Sequence, residues 1–443
     1  MAFVRSIGRW ALTGLALNCI IGSGIFGLPG ELNRLVGRAS PLAMVLAALA
    51  MGCIMAAMAE VGSQFSEPGG PYLYARTVFG RFAGLQVGWF ALLSTIAAVA
   101  ANANIFVVYL VGFFPGAGHG IPRAIILTAF LGFPATVNYL GARRGAGLSS
   151  VFVIAKIVPL VALIVAGLVG LARFEYRLPW VSLSEIAAPG IRPWLTALLL
   201  LVFAYGGFEA AMIPAGEVKY PRRTLPFAMG TSLLAAAIVY TLLQVVTVAT
   251  IGTSTSARPL AETASVLLGT AGAAVIGIAV MISTTGHISS VMLHAPRLAY
   301  SLAAGGEFPS FLAKLHPRFQ TPAAALACYA ALVWLLAVTG GFYIAVMLAT
   351  GAKVIMYCAT CAALIPLRRR QPEADALRIP FGPAVSLVGV AISLALLTQL
   401  RGIEIALMSA TALLAAANWW FARGQRVTPQ RVDAAATAET LLP

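Results

Sequence analysis

The stretch Ile20-Ile21-Gly22-Ser23-Gly24-Ile25-Phe26-Gly27-Leu28-Pro29-Gly30 interrupts an apolar run that is otherwise long enough to cross a membrane. Glycine costs about 1 kcal/mol and proline about 3 kcal/mol in a helix interior. In lipid, unwound backbone persists only where protein buries it or where it lines a cavity. A broken membrane helix is therefore a candidate binding site.

Composition around the break agrees with a membrane setting. The chain has 443 residues, 60% of them hydrophobic and 10% charged, and its mean hydropathy is +0.91. Soluble domains carry roughly 25% charged residues. Apolar runs of roughly 18 residues or more, enough to span a bilayer core, recur along the whole length. The expectation is an all-α polytopic membrane protein with twelve spans, near 10–36, 40–65, 82–112, 122–140, 148–171, 194–217, 226–251, 269–302, 322–339, 342–366, 383–400 and 403–421. No signal-peptide cleavage pattern precedes the first span, which is expected to stay.

The net charge of +15 does not point to nucleic acid, because the basic residues fall in short loops beside the spans. Arg5, Arg9, Arg76, Arg81, Arg143, Arg144, Lys219, Arg222, Arg223, Arg297, Lys314, Arg318, Arg368, Arg369, Arg370, Arg378, Arg423, Arg426 and Arg431 share the side of the amino terminus. Only Arg34, Arg38, Arg123, Arg173, Arg177, Arg192, Arg258 and Arg401 face the other way. The positive-inside rule then predicts a multi-pass protein of the cell membrane with both termini in the cytoplasm. Cys19, Cys53, Cys328, Cys358 and Cys361 all lie in apolar runs and read as packing residues, the Cys358-x-x-Cys361 spacing included.

The sixth span repeats the theme. Phe203-Ala204-Tyr205-Gly206-Gly207-Phe208-Glu209 interrupts a second apolar run, with Pro214 beyond it. Two breaks five spans apart predict an inverted repeat around a midplane site. The expected organisation is a cytoplasmic amino terminus (1–9), a first repeat of helices 1–5 (10–171), a second of helices 6–10 (194–366), two appended helices (383–421) and a cytoplasmic tail (422–443).

Gly22 to Gly27 matches G-x-G-x-x-G, but a dinucleotide site needs a strand before it and a ribose-binding acid about 20 residues on. A helix-packing glycine motif is the bland alternative. In an unwound site, N–H groups at the start of the outer half-helix, with the Ser23 hydroxyl, hold a carboxylate. Free carbonyls of the inner half-helix accept from an ammonium group.

Beyond spacing, the chain resembles the amino acid–polyamine–organocation (APC) superfamily of transporters over about residues 8–385. The resemblance rests on Gly22-Ser23-Gly24-Ile25-Phe26, on Ala59-Glu60 with Glu67-Pro68-Gly69-Gly70-Pro71-Tyr72-Leu73-Tyr74, on Glu217 to Pro226, and on Arg297 to Pro322. It implies the five-plus-five inverted repeat with discontinuous helices 1 and 6, and alternating access. By motif position it implies that the substrate carboxylate meets Ser23 and the amides of Gly22 and Gly24. The amine would meet carbonyls of Ile20, Phe203 and Gly206. Phe203 would shape the pocket, Tyr205 would line or gate it, and Thr95 and Val99 would face it from helix 3.

Lys156 lies inside the fifth span, where a charge costs about 2.5–3.5 kcal/mol on insertion scales. A snorkelling lysine near a helix end is the alternative. The residue resembles the helix-5 lysine of proton-coupled and exchanging APC members, whose ammonium takes the place of sodium. Its expected partners are carbonyls before the helix-1 break and hydroxyls of Ser283, Thr284 or Thr285. Burial disfavours the charged form, so the proton can leave and return in a cycle. Lys353, a second intramembrane lysine, is expected to pair with Glu60 or Glu209 or to face a water-filled vestibule. Glu209 is read as structural or as a gate or relay, Glu60 as structural. His287 and His294 have no acidic or cysteine neighbour at ligand spacing, so no metal and no cofactor is expected.

The expected function is sodium-independent, proton-coupled secondary transport of amino acids, with neutral ones favoured. An exchanger and a cationic amino acid or polyamine carrier remain alternatives. A channel or an integral-membrane enzyme is the remote one.

Overall fold

In the computed structural model, the structure describes residues 8–65, 69–140, 149–173, 176, 181–209, 221–370 and 377–423. Glu67 and Pro68, Arg143 and Arg144, Pro214, Glu217 to Tyr220 and the tail beyond Arg423 lie outside them. The described residues form helices and turns, with no strand among them. The helices in chain order are α1 (Arg9–Ile20), α2 (Gly24–Val36), α3 (Ser40–Ser63), α4 (Gly70–Phe79), α5 (Arg81–Leu110), α6 (Gly120–Tyr139), α7 (Ser149–Ala172), α8 (Leu183–Ala187), α9 (Ile191–Tyr205), α10 (Pro221–Ile251), α11 (Pro259–Ala304), α12 (Ala323–Thr339), α13 (Phe342–Arg370), α14 (Gly382–Leu397) and α15 (Gly402–Ala422).

Among the described residues, helix runs through part or all of each apolar segment expected from the sequence. Among the described residues, seven helical stretches are long and apolar enough to cross a membrane, and four further apolar helices are shorter. Their outer faces are apolar: Leu49, Ile121, Phe133, Val158, Leu234, Leu332 and Leu413 are all exposed. In water such a surface would aggregate; in lipid it is the solvated face. The eighth segment starts earlier than expected, because a turn at Gly269, where φ is +71°, joins a preceding helix to it within α11.

Two helices lie outside the expected spans. α4 follows the turn at Gly69–Gly70 and is parted from α5 by Gly80. α8 is a single turn, begun by a reciprocal cap in which Ser182 accepts from the Glu185 N–H and Glu185 accepts from the Ser182 N–H.

α1 packs on α10, α2 on α9, and α13 along α5, α9 and α14. α11 packs on α5 and α7. The ends of the helices are fastened by charge. Glu60, fully buried on α3, takes a two-pronged contact from Arg368 of α13, with Nη2–Oε2 at 2.7 Å, and also accepts from the Ile379 N–H at 3.0 Å. Glu60 thus joins α3, α13 and the approach to α14, which is the structural role expected for it. Removing one partner of a buried pair leaves an uncompensated charge. Glu60→Ala is therefore expected to destabilise the detergent-solubilised protein by about 3–5 kcal/mol, read as a lowered melting temperature.

Candidate functional site

The first break is real: α1 ends at Ile20, Ile21 to Ser23 are non-helical, and α2 begins at Gly24. The second is its counterpart. α9 ends at Tyr205, Gly206 is extended, and Gly207 has φ +104°, a conformation that favours glycine.

The two breaks touch. A Cβ on Gly24 would lie 2.8 Å from the Cα of Ala204, and one on Gly207 would lie 2.4 Å from the carbonyl oxygen of Cys19. Only glycine allows this approach of one backbone to the other. From α10 the Tyr240 hydroxyl shares its proton between the carbonyls of Ile20 at 2.9 Å and Ala204 at 3.1 Å, one from each break. Tyr240 has no spacing signal in the sequence; only the packing of α10 on α1 brings it here. Tyr240→Phe leaves the buried Ala204 carbonyl without its donor, which costs about 1–3 kcal/mol; the expected result is a lowered melting temperature with the helices retained by circular dichroism.

Lys156 reaches from α7 to the end of α1. Its Nζ donates to the carbonyls of Asn18 at 2.7 Å and Ile21 at 2.6 Å. These are carbonyls that a continuous helix would have paired, so the ammonium replaces hydrogen bonds that the break removes. The expected hydroxyl partners are not used. Thr284 donates to the Val280 and Met281 carbonyls and Thr285 to Met281, all within α11. Ser283 is buried but makes no hydrogen bond to Lys156 among the described residues. A β-hydroxyl on a helix has its own preceding carbonyls within reach, and here they win.

The start of α2 offers donors. Among the described residues, the Gly24 and Ile25 amides make no hydrogen bond to protein and the buried Ser23 hydroxyl has no partner. Gly22 differs from expectation: its N–H donates to the Ile20 carbonyl at 2.8 Å, because the chain turns tightly as it leaves α1. In this structure the donor group is thus Ser23, Gly24 and Ile25. Ile25 was not singled out in the sequence; it becomes a donor by standing in the first turn of α2, where amides have no intrahelical acceptor.

At the second break, the carbonyls of Phe203 and Gly206 accept no hydrogen bond among the described residues. Phe203 is buried. Tyr205 is fully buried, donates to the Met44 carbonyl at 3.0 Å and packs against Tyr240 with ring centroids 5.2 Å apart. That position ties α9 to α3. Thr95 donates to Leu92 within α5 at 2.8 Å and forms no hydrogen bond to either break among the described residues. Val99, one turn further along α5, is fully buried.

Of the two partners expected for Lys353, Glu60 is held by Arg368 and Glu209 is the one met. The Lys353 Nζ lies 2.8 Å from Glu209 Oε1. Glu209 Oε2 accepts from the Gly207 N–H at 2.9 Å and the Tyr357 hydroxyl at 3.1 Å. α13 is thereby pinned to the second break.

Comparison with known proteins finds relatives along nearly the whole chain. A family model described as amino acid permease matches residues 7–422. The serine/threonine exchanger SteT of Bacillus subtilis is 27% identical over 406 residues, covering 87% of this chain and 89% of that one. The methylthioribose transporter of the same organism is 25% identical, with 91% and 90% covered. The branched-chain amino acid permease BcaP of Bacillus subtilis is 27% identical, with 90% and 89% covered.

Proposed function

The chain belongs to the amino acid permease family, within the amino acid–polyamine–organocation superfamily of transporters, and we propose that it carries amino acids across the cell membrane by alternating access. In this reading the chain spans the membrane twelve times, with both termini in the cytoplasm, and helices 1–5 and 6–10 form the two inverted halves.

The observation that carries the reading is the meeting of two broken helices that present opposite chemistry. The Ser23 hydroxyl and the Gly24 and Ile25 amides, unpartnered among the described residues, are donors at the positive end of α2. Among the described residues the carbonyls of Phe203 and Gly206 accept no hydrogen bond and stand as acceptors, whereas the Ile20 carbonyl expected beside them is already taken by the Gly22 N–H and the Tyr240 hydroxyl. A carboxylate and an ammonium on one carbon need that pair of surfaces. Neutral amino acids suit the site best, because the acidic side chain nearest the breaks, Glu209, already holds Lys353.

Lys156 supports sodium independence. Its ammonium occupies the carbonyl set that a bound cation would otherwise bridge. It is also the group through which proton coupling would run, since losing its proton turns two charge-assisted hydrogen bonds to Asn18 and Ile21 into weaker neutral ones and loosens the first break. Exchange is the second reading, favoured by the likeness to SteT.

The test is a melting-temperature screen of the purified protein against all amino acids and methylthioribose, followed by counterflow in proteoliposomes. A ligand present at 100 times its Kd stabilises the folded state by about 2.7 kcal/mol. Stabilisation by neutral amino acids with saturable counterflow is expected; stabilisation by methylthioribose alone would replace the amino acid reading.

A further inference from the structure

We propose that Lys353 is a specificity-determining residue: it acts as a built-in counter-cation that occupies Glu209, so that the site refuses amino acids with a charged side chain. This deepens the amino acid reading above and rests on it.

Glu209 stands two residues past Gly207 and three past Gly206, at the mouth of the second break. The ammonium reaches the backbone of the break: a Cβ on Gly206 would fall 2.7 Å from the Lys353 Nζ and equally 2.7 Å from the Val202 carbonyl oxygen. Only 10% of the Lys353 side chain and 19% of the Glu209 side chain are exposed. In such surroundings neither charge is well solvated, and each depends on the other. The Gly207 amide and the Tyr357 hydroxyl fix the carboxylate from the remaining directions.

The arithmetic of charge follows. With the pair intact, this end of the site is neutral. A guanidinium or ammonium tail arriving beside Glu209 would find its place taken and a like charge alongside, which costs several kcal/mol. Take away Lys353, and Glu209 becomes an open acceptor for a cationic tail. Take away the carboxylate instead, and Lys353 becomes an open donor for an anionic one. Specificity thus comes from a group that repels, as well as from the groups that bind.

The experiment uses the full-length protein and three variants, K353Q, E209Q and the double variant. Ligand competition is read as melting-temperature shifts with alanine and leucine, arginine and lysine, and glutamate and aspartate. The wild type is expected to respond to the neutral pair alone. K353Q is expected to gain arginine and lysine, at concentrations about tenfold or more lower than the wild type requires. E209Q gains glutamate and aspartate to a similar degree, and the double variant gains neither class. The proposal is overturned if the wild type is itself stabilised by arginine or lysine. It is overturned equally if a single variant folds with wild-type selectivity, if a gain persists in the double variant, or if both single variants fail to fold, since the pair would then be structural only. A wild type stabilised by no amino acid at all would remove the amino acid reading, a result separable from each of these.

Discussion

Lys156→Ala is expected to abolish accumulation of substrate driven by a proton gradient. The native ammonium makes two charge-assisted hydrogen bonds to the end of the first half-helix, at 2.7 and 2.6 Å. Bonds of that kind contribute about 1.5–3 kcal/mol each, and a factor of ten needs about 1.4 kcal/mol. A drop in transport of about 100-fold or more therefore follows if the geometry of the break is needed for binding. Two measurements separate the roles. Counterflow at equal pH that survives, while gradient-driven accumulation is lost, assigns Lys156 to coupling. Loss of both assigns it to holding the break in shape. Accumulation that keeps the wild-type pH dependence would dismiss it as the proton carrier.

Gly24→Leu is the second large effect. The Cβ alone would sit 2.8 Å from Ala204 Cα and 3.0 Å from its Cβ. These are not flexible side-chain ends that can swing aside. Even Gly24→Ala is an overpacking change, worth about 1–3 kcal/mol. Leucine adds three more carbons in the same direction, so the helices must separate and the donors at the start of α2 lose their register with the carbonyls of α9. Ligand-induced stabilisation should vanish, and the melting temperature should fall. Gly22 is the contrast: a Cβ there has nothing nearer than the Ile20 oxygen at 3.9 Å. Gly22→Ala should therefore fold with little loss of stability. A Gly24→Leu protein that still binds substrate would reduce the break to a packing feature.

Much of the site was legible because each signal was a local violation. Glycines and a serine in an apolar run contradict helix propensity, and a lysine in the fifth segment contradicts the cost of buried charge. Such violations persist only when something compensates them, which is why Gly24, Gly206 and Lys156 could be marked from the residues alone. The satisfied groups were harder. Tyr240 breaks no rule in its segment, yet its hydroxyl joins both breaks. The hydroxyls of Thr284 and Thr285, expected partners for Lys156, donate to helical backbone instead. The Gly22 amide looked free until the turn folded it onto Ile20.

The sequence by itself determined where the apolar helices run, where two of them break, and that a cation lies within the fifth apolar segment. Those are consequences of hydropathy and backbone propensity, which act over a few residues. Tertiary structure alone decided which groups meet: that the two breaks touch through Gly24, Ala204, Gly207 and Cys19, that Glu60 takes Arg368, and that Glu209 takes Lys353. The physical reason is that a buried charge must find a partner, but sequence states only the need. The partner is whichever opposite charge the packing brings within about 3 Å, and in this chain those partners lie more than a hundred residues away.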